Sequence, residues 1–277
     1  MGLRIYNNVE AQMAHRQLSS TNNQLSKTME RLSSGLRINR AADDAAGLAV
    51  SEEMRSQIRG MNVASRNAQD GVSMVQVADG ALGGVNDMLQ RIRDLSVQAA
   101  NGTLTDQQRG NLDQEVQSIV AEMARVASDT EFNGVKILSG SVATAANAVT
   151  LQVGANGSQV IAFTIGTMSA SDLGISGIAI GTAASATQAI ASVDAAIRSV
   201  NSSRAAMGAI QNRLEQTISR LDLTSENLQA AESRVRDADM ASEMIDFTRN
   251  QILQQSGTAM LAQANQAPQS VLSLIKG

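Results

Sequence analysis

The sequence predicts a mainly α fold. Long antiparallel helices pair at the two ends of the chain as a coiled coil, and a helical inner region carries a small β-hairpin. Three observations lead there. Only one proline, Pro268, occurs in 277 residues. Proline in a helix interior costs about 3 kcal/mol, so its scarcity permits very long helices. Apolar residues recur at heptad spacing near both ends. One short stretch alternates apolar and polar residues around an Asn-Gly pair, as a hairpin does.

At the N-terminus, Asn7 and Glu10 have the cap and third-position spacing of a helix start. Leu18, Leu25 and Leu32 follow at seven-residue intervals, with Met29 and Leu36 in the four-residue steps and Asn22 as the one polar member. Val72, Val75, Leu82, Val85, Leu89 and Ile92 form the next stripe, predicting a helix over about 61–100. Gly80, Gly83 and Gly84 interrupt it. Either the helix breaks there or another backbone approaches closely, and the second reading is preferred. Asn101-Gly102 is placed to end this helix.

Thr105 and Gln108 form a capping box for a helix with the stripe Leu112, Val116, Ile119, Met123, Val126. Residues 137–193 contain one charge, Asp172, and hold the alternating Val149, Leu151, Val153 and Ile161, Phe163, Ile165 around Asn156-Gly157. That sets a hairpin at about 147–167. From about 188 the heptads return through Ile190, Val193, Ile197, Val200 and Met207. They continue through Ile210, Leu214, Leu221 and Leu228, with a phase slip expected between Met207 and Ile210. Residues 250–275 carry no charge but include Ile252, Leu253, Met260 and Leu261. Such a segment requires a partner, and the charge-poor N-terminal stretch is the candidate.

Composition removes several functions. The chain has no Cys or Trp, one His, one Tyr and three Phe. Disulfides, thiolate nucleophiles, Cys-based zinc sites and multi-His metal centres are excluded, and aromatic base-stacking is demoted. A net charge of −4 gives no basic footprint for nucleic acid. No apolar run approaches the ~20 residues of a membrane span, and the start lacks a signal-peptide core. His15 reads as a surface residue, Asp43-Asp44 as helix-terminus or surface charge, and Arg91, Arg93 and Arg109 as a solvated helix face. Neither a catalytic site nor a cofactor is expected. Interaction surface is what remains, and self-assembly is its simplest use.

Read together, the motifs have a family resemblance. ERLSSGLRINRAADDAAGLAVSEEMRSQIRGM (30–61), LQRIRDLSVQAANG (89–102), TEFNGVKIL (130–138), NLQAAESRVRDADMASEM (227–244) and AMLAQANQAPQSVLSLIKG (259–277) closely resemble the conserved ends of bacterial flagellins. The resemblance implies a discontinuous terminal coiled-coil domain, 1–45 with 236–277, that forms a filament core. An inner domain, 46–235, would surround it. The hairpin is followed within about 25 residues by Ile190, so the family's variable outer domains look absent.

The function implied is the self-assembling filament subunit of swimming motility, in the extracellular flagellum after export without signal cleavage. Leu18, Leu25, Met29, Leu32 and Leu36, with Ile252, Leu253, Met260 and Leu261, would form the assembly seam. Implied partners are further copies of the chain, the flagellar export apparatus, a cytosolic chaperone at 236–277, the filament cap, the hook-junction proteins and a host Toll-like receptor. Receptor recognition is carried over to Arg91, Leu95 and Glu115. The related hook–filament junction protein and a coiled-coil adaptor are the alternatives.

Overall fold

The computed structural model describes the backbone of residues 8–276 and the side chains of residues 8–266 other than Ala145. Its helices are α1 (Val9–Ser34), α2 (Ala45–Ala99), α3 (Asp106–Asp129), α4 (Ala183–Arg236) and α5 (Met240–Lys276). The strands are β1 (Glu131–Phe132), β2 (Val135–Lys136), β3 (Val149–Gln152) and β4 (Val160–Phe163). The chain divides into two compact units, residues 1–56 with 227–277 and residues 57–226. Both breaks lie inside helices, α2 and α4, further from the chain ends than the 45/46 and 235/236 boundaries read from sequence.

In the terminal unit α1 begins at Asn8, whose side chain accepts from the Ala11 amide at 3.0 Å. The expected cap, Asn7, lies outside the described residues. Gly35 closes α1 in the left-handed region, at φ 73°, a conformation that glycine adopts without a Cβ penalty. The α1–α2 loop then docks on the α4–α5 junction. Arg37 N–H donates to the Arg236 carbonyl at 2.7 Å and Ala238 N–H to that of Gly35 at 2.9 Å. Asp43 accepts from the amides of Arg40 (3.0 Å) and Asn39 (3.3 Å), while Asp44 accepts from Gly47 at the first turn of α2 (2.9 Å). The adjacent carboxylates thus pin a loop and start a helix. The Arg40 amide chiefly holds the Asp43 carboxyl below its ordinary value.

In the second unit the predicted α2 stripe is present: Val75, Leu82, Val85, Leu89 and Ile92 are buried. The helix starts sixteen residues before 61, at Ala45, and runs unbroken through Gly80, Gly83 and Gly84. A Cβ added at any of those three would meet nothing within 4 Å, so the expectation of close backbone approach there is corrected. Close approach occurs instead where the β3–β4 hairpin leans on α2. A Cβ on Gly60 would lie 2.9 Å from the Ala155 Cβ and 3.2 Å from its Cα, and one on Gly71 would collide with Leu151.

No left-handed glycine caps the end of α2. The Arg109 side chain reaches back from α3 and donates to the carbonyls of Ala99 (2.9 Å) and Asn101 (3.0 Å), with Asp106 holding its third nitrogen at 2.8 Å. Arg109 is therefore buried, and its assignment to a solvated face is corrected: helix-end carbonyls without intrahelical partners require a donor.

The capping box of α3 has both of its bonds, and Val116 and Met123 of its stripe are buried, joined by Val120 and Ala127. β3 and β4 pair antiparallel with Val149 opposite Phe163 and Gln152 opposite Val160. A second hairpin, β1–β2, turns through Asn133 (φ 51°) and Gly134 (φ 78°), the tight turn for which Asn-Gly is favoured. After β4, Ile165, Leu173, Ile175 and Ile180 enter the core without regular structure. This segment is tied to α3 by the Ile180 amide donating to Asp113 (2.7 Å) and by Gln117 donating to the Ile178 carbonyl (2.6 Å).

The core face of α4 holds the expected Val193, Val200, Met207, Leu214 and Leu221 but differs in its other members. Ala186, Ala189, Val193, Ala196, Val200, Met207, Leu214, Thr217 and Leu221 are buried. This face keeps one three-four repeat without the slip expected after Met207. Alanines occupy the inner positions, and Ile190 and Ile197 are only half-buried at its edge. Small residues permit close helix approach, so the bulkiest side chains did not mark the centre of the face.

Candidate functional site

Interaction surface is concentrated on the terminal pair α1–α5. Along α1, Ala11, Ala14, Leu18, Thr21, Leu25, Thr28 and Leu32 are buried or half-buried at three-four spacing. Along α5 the same spacing runs through Glu243, Phe247, Asn250, Gln254, Gly257, Leu261 and Ala264. Named contacts fix these rows against each other. Asn250 Nδ2 donates to Thr28 Oγ1 at 3.4 Å, and Arg31 Nη1 meets Glu243 Oε1 at 3.2 Å. A Cβ on Gly257 would lie 3.2 Å from Leu18 Cδ1.

This seam corrects the sequence reading in detail. Leu18, Leu25, Leu32 and Leu261 are in it. The intervening α1 positions are Ala14, Thr21 and Thr28, whereas Met29 is 52% exposed and Asn22 is exposed. Leu36 lies beyond α1, half-buried, bridged to Asp237. On α5, Ile252 (66% exposed), Leu253 (47%) and Met260 (62%) point away from the seam. The reason is geometric. At about 100° per residue, 245, 252, 253 and 260 cluster on a face separate from that of 243, 250 and 257.

The result is a helix pair with apolar residues on two faces, one of them without a partner. The face of α5 toward α1 mixes Phe247 and Leu261 with Glu243, Asn250, Gln254 and Gly257, while Ile245, Ile252, Leu253 and Met260 on the other are uncovered, as are Val9 and Met13 on α1. Fully burying one such side chain contributes about 1.5–3 kcal/mol, and contiguous exposed apolar surface marks an interaction site. Among the described residues no helix is long and apolar enough to cross a membrane.

The residues carried over for receptor recognition separate. Arg91 donates to Glu115 Oε1 through Nε at 3.0 Å and Nη2 at 2.5 Å, joining α2 to α3 at the surface. Leu95 does not join them: at 2% exposure it is a core residue. Asp194 holds the neighbouring Arg93 at 2.7 Å. His15 is exposed.

Comparison with known proteins gives the same picture of both ends. Residues 5–143 match the bacterial flagellin N-terminal helical region, and residues 190–275 match the bacterial flagellin C-terminal helical region. The chain is 53% identical to the flagellar filament 33 kDa core protein of Treponema phagedenis, over 98% of this chain and 99% of that one. It is 47% identical to the flagellin of Bacillus subtilis, over 99% of this chain and 100% of that one. The crystal structure of Bacillus cereus flagellin, 31% identical, superposes on 56% of this chain and 88% of its own with a TM-score of 0.49. From the two matched regions and the near-complete coverage of its relatives, this chain belongs to the bacterial flagellin family.

Proposed function

We infer that this chain is the structural subunit of the flagellar filament, a short form without outer domains, and that it polymerises through α1 and α5. The uncovered apolar face of α5, carrying Ile245, Ile252, Leu253 and Met260, is the observation behind the reading. Ordering two long helices costs conformational entropy, and the α1–α5 seam, in which polar and small residues alternate with Leu18, Leu25, Leu32, Phe247 and Leu261, leaves much apolar surface unburied. Packing the outer face against further copies of the chain buries it. The location that goes with this role is the extracellular flagellum.

Export through the flagellar apparatus, a cytosolic chaperone on residues 236–277 and contacts with the filament cap and hook-junction proteins belong to the same reading. A Toll-like receptor is proposed to meet the surface pair Arg91–Glu115. The role is structural, and no catalytic chemistry is assigned to the chain.

Seeded polymerisation followed by electron microscopy tests the reading. The full chain is expected to give long filaments. Deletion of residues 1–20 is expected to abolish them while leaving the helical signal of residues 57–226. Unimpaired filaments from the truncated chain would sink the role of the paired ends.

A further inference from the structure

The chain's one proline lies inside α5, which continues through it to Lys276. Proline has no N–H, so the carbonyl four residues earlier loses its helical donor. That carbonyl belongs to Ala264, and it is not left bare: Asn8 Nδ2 donates to it at 2.7 Å. The same side chain accepts from the Ala11 amide at 3.0 Å through Oδ1, capping α1. One amide group thus closes the start of one helix and fills the gap in another, across 256 positions of sequence.

We propose that Asn8 and Pro268 together hold the register of α1 against α5 at the end of the pair remote from the backbone bonds of Gly35 to Ala238 and Arg37 to Arg236. Beyond the Arg31–Glu243 pair, the seam specifies register poorly. It repeats every seven residues, so a slip of one heptad there exchanges Thr21 for Thr28 and Leu18 for Leu25. Away from its last turn, α5 offers one carbonyl stripped of its helical donor, because the chain has one proline. In a slipped pairing the Asn8 amide meets a carbonyl already occupied by its own helix, and the half-buried Ala264 carbonyl loses its donor. Desolvating an unpaired acceptor costs more than a made hydrogen bond gains. A single polar contact can therefore choose between otherwise similar alignments, as buried asparagines do in coiled coils.

The absence of cysteine makes the test direct. In the observed register a Cβ on Gly257 lies 3.9 Å from that of Leu18, within disulfide reach. Leu18→Cys with Gly257→Cys reports this register, and Leu25→Cys with Gly257→Cys reports the one-heptad slip. Each pair is placed in four full-length backgrounds: parent, Asn8→Asp, Pro268→Ala and both.

Aspartate keeps the cap acceptor and replaces the donor with a charged oxygen. Alanine at 268 restores the missing N–H. Asn8→Asp is expected to raise the slipped-to-aligned ratio of disulfide closure about fivefold in the parent, and to shift it much less beside Pro268→Ala. A ratio unmoved by Asn8→Asp, or moved equally in both backgrounds, overturns the proposal. So does a parent chain that favours the slipped pair. Polymerisation has no part in this readout, so a chain that cross-links in register but forms no filaments counts against the filament reading alone.

Discussion

Arg91 and Leu95 stand one helical turn apart on α2 and have opposite environments. Arg91 is held at the surface by Glu115, whereas Leu95 is packed into the core. Truncating them should separate recognition from stability. Arg91→Ala is expected to weaken receptor activation in a reporter-cell assay and leave thermal unfolding nearly unchanged, since exposed ion pairs contribute little. Leu95→Ala is expected to cost about 2–5 kcal/mol of stability, as buried leucine truncations do. Circular dichroism melts of both variants, with equal losses in each, would refute the division. The motif around Gln90–Leu95 was legible in the sequence, but the facing of its members was not. Arg109 gives the reverse lesson: a charge among acids read as solvated, yet the α2 carbonyls that draw it inward become visible only once α3 folds back beside them.

At the scale of the element, what was legible depended on whether the signal was local. The α3 capping box needs only Thr105 and Gln108, three residues apart, and both of its bonds formed. The β3–β4 alternation is likewise local, as is the Asn133-Gly134 turn of β1–β2, whose signal lay in Phe-Asn-Gly-Val but flanked strands of only two residues each. The core face of α4 is set by what packs on it. Close neighbours favour Ala189 and Ala196 inside and leave Ile190 and Ile197 at the margin.

The glycines of α2 divide in the same way and yield opposite outcomes on substitution. Gly84→Ala enters open space and should stabilise the free subunit by up to about 1 kcal/mol through helix propensity. Gly60→Ala drives a methyl group onto Ala155 and should destabilise it. Thermal melts of the two free subunits check both signs, and a stabilised Gly60→Ala would show that the hairpin loop yields freely.

For the whole molecule the governing quantity is charge. The net charge is −4 at pH 7 and the pI about 5.1, so moderate acid removes the repulsion between copies. Stronger acid reaches the junction of the terminal unit. Glu52 accepts from Arg236 at 2.7 Å and from Arg55 at 2.9 Å. The Arg236 hydrogen bond, first among these, holds its carboxyl below the ordinary glutamate value. A carboxyl lowered by folding contributes stability above its unfolded pKa, about 4.3, and that contribution is lost as pH falls through the lower folded value. The Asp43 carboxyl, lowered by the Arg40 amide, acts in the same direction. Amide protection at Arg37 and Ile38, whose N–H groups meet the Arg236 carbonyl, measured relative to the intrinsic exchange rate at each pH, should fall in that acid range. Glu52→Gln should flatten the dependence, and protection that responds to pH equally with and without Glu52 would exclude its part.

The uncovered face of α5 has a consequence for how such a polymer responds to salt. From Asn250 to Ile275 the helix bears no ionisable side chain, so contacts closed by Ile252, Leu253 and Met260 offer nothing for dissolved ions to screen. Cohesion along that face is therefore not weakened by ionic screening. Dissolved ions act instead on the repulsion between the negatively charged copies, which added salt weakens.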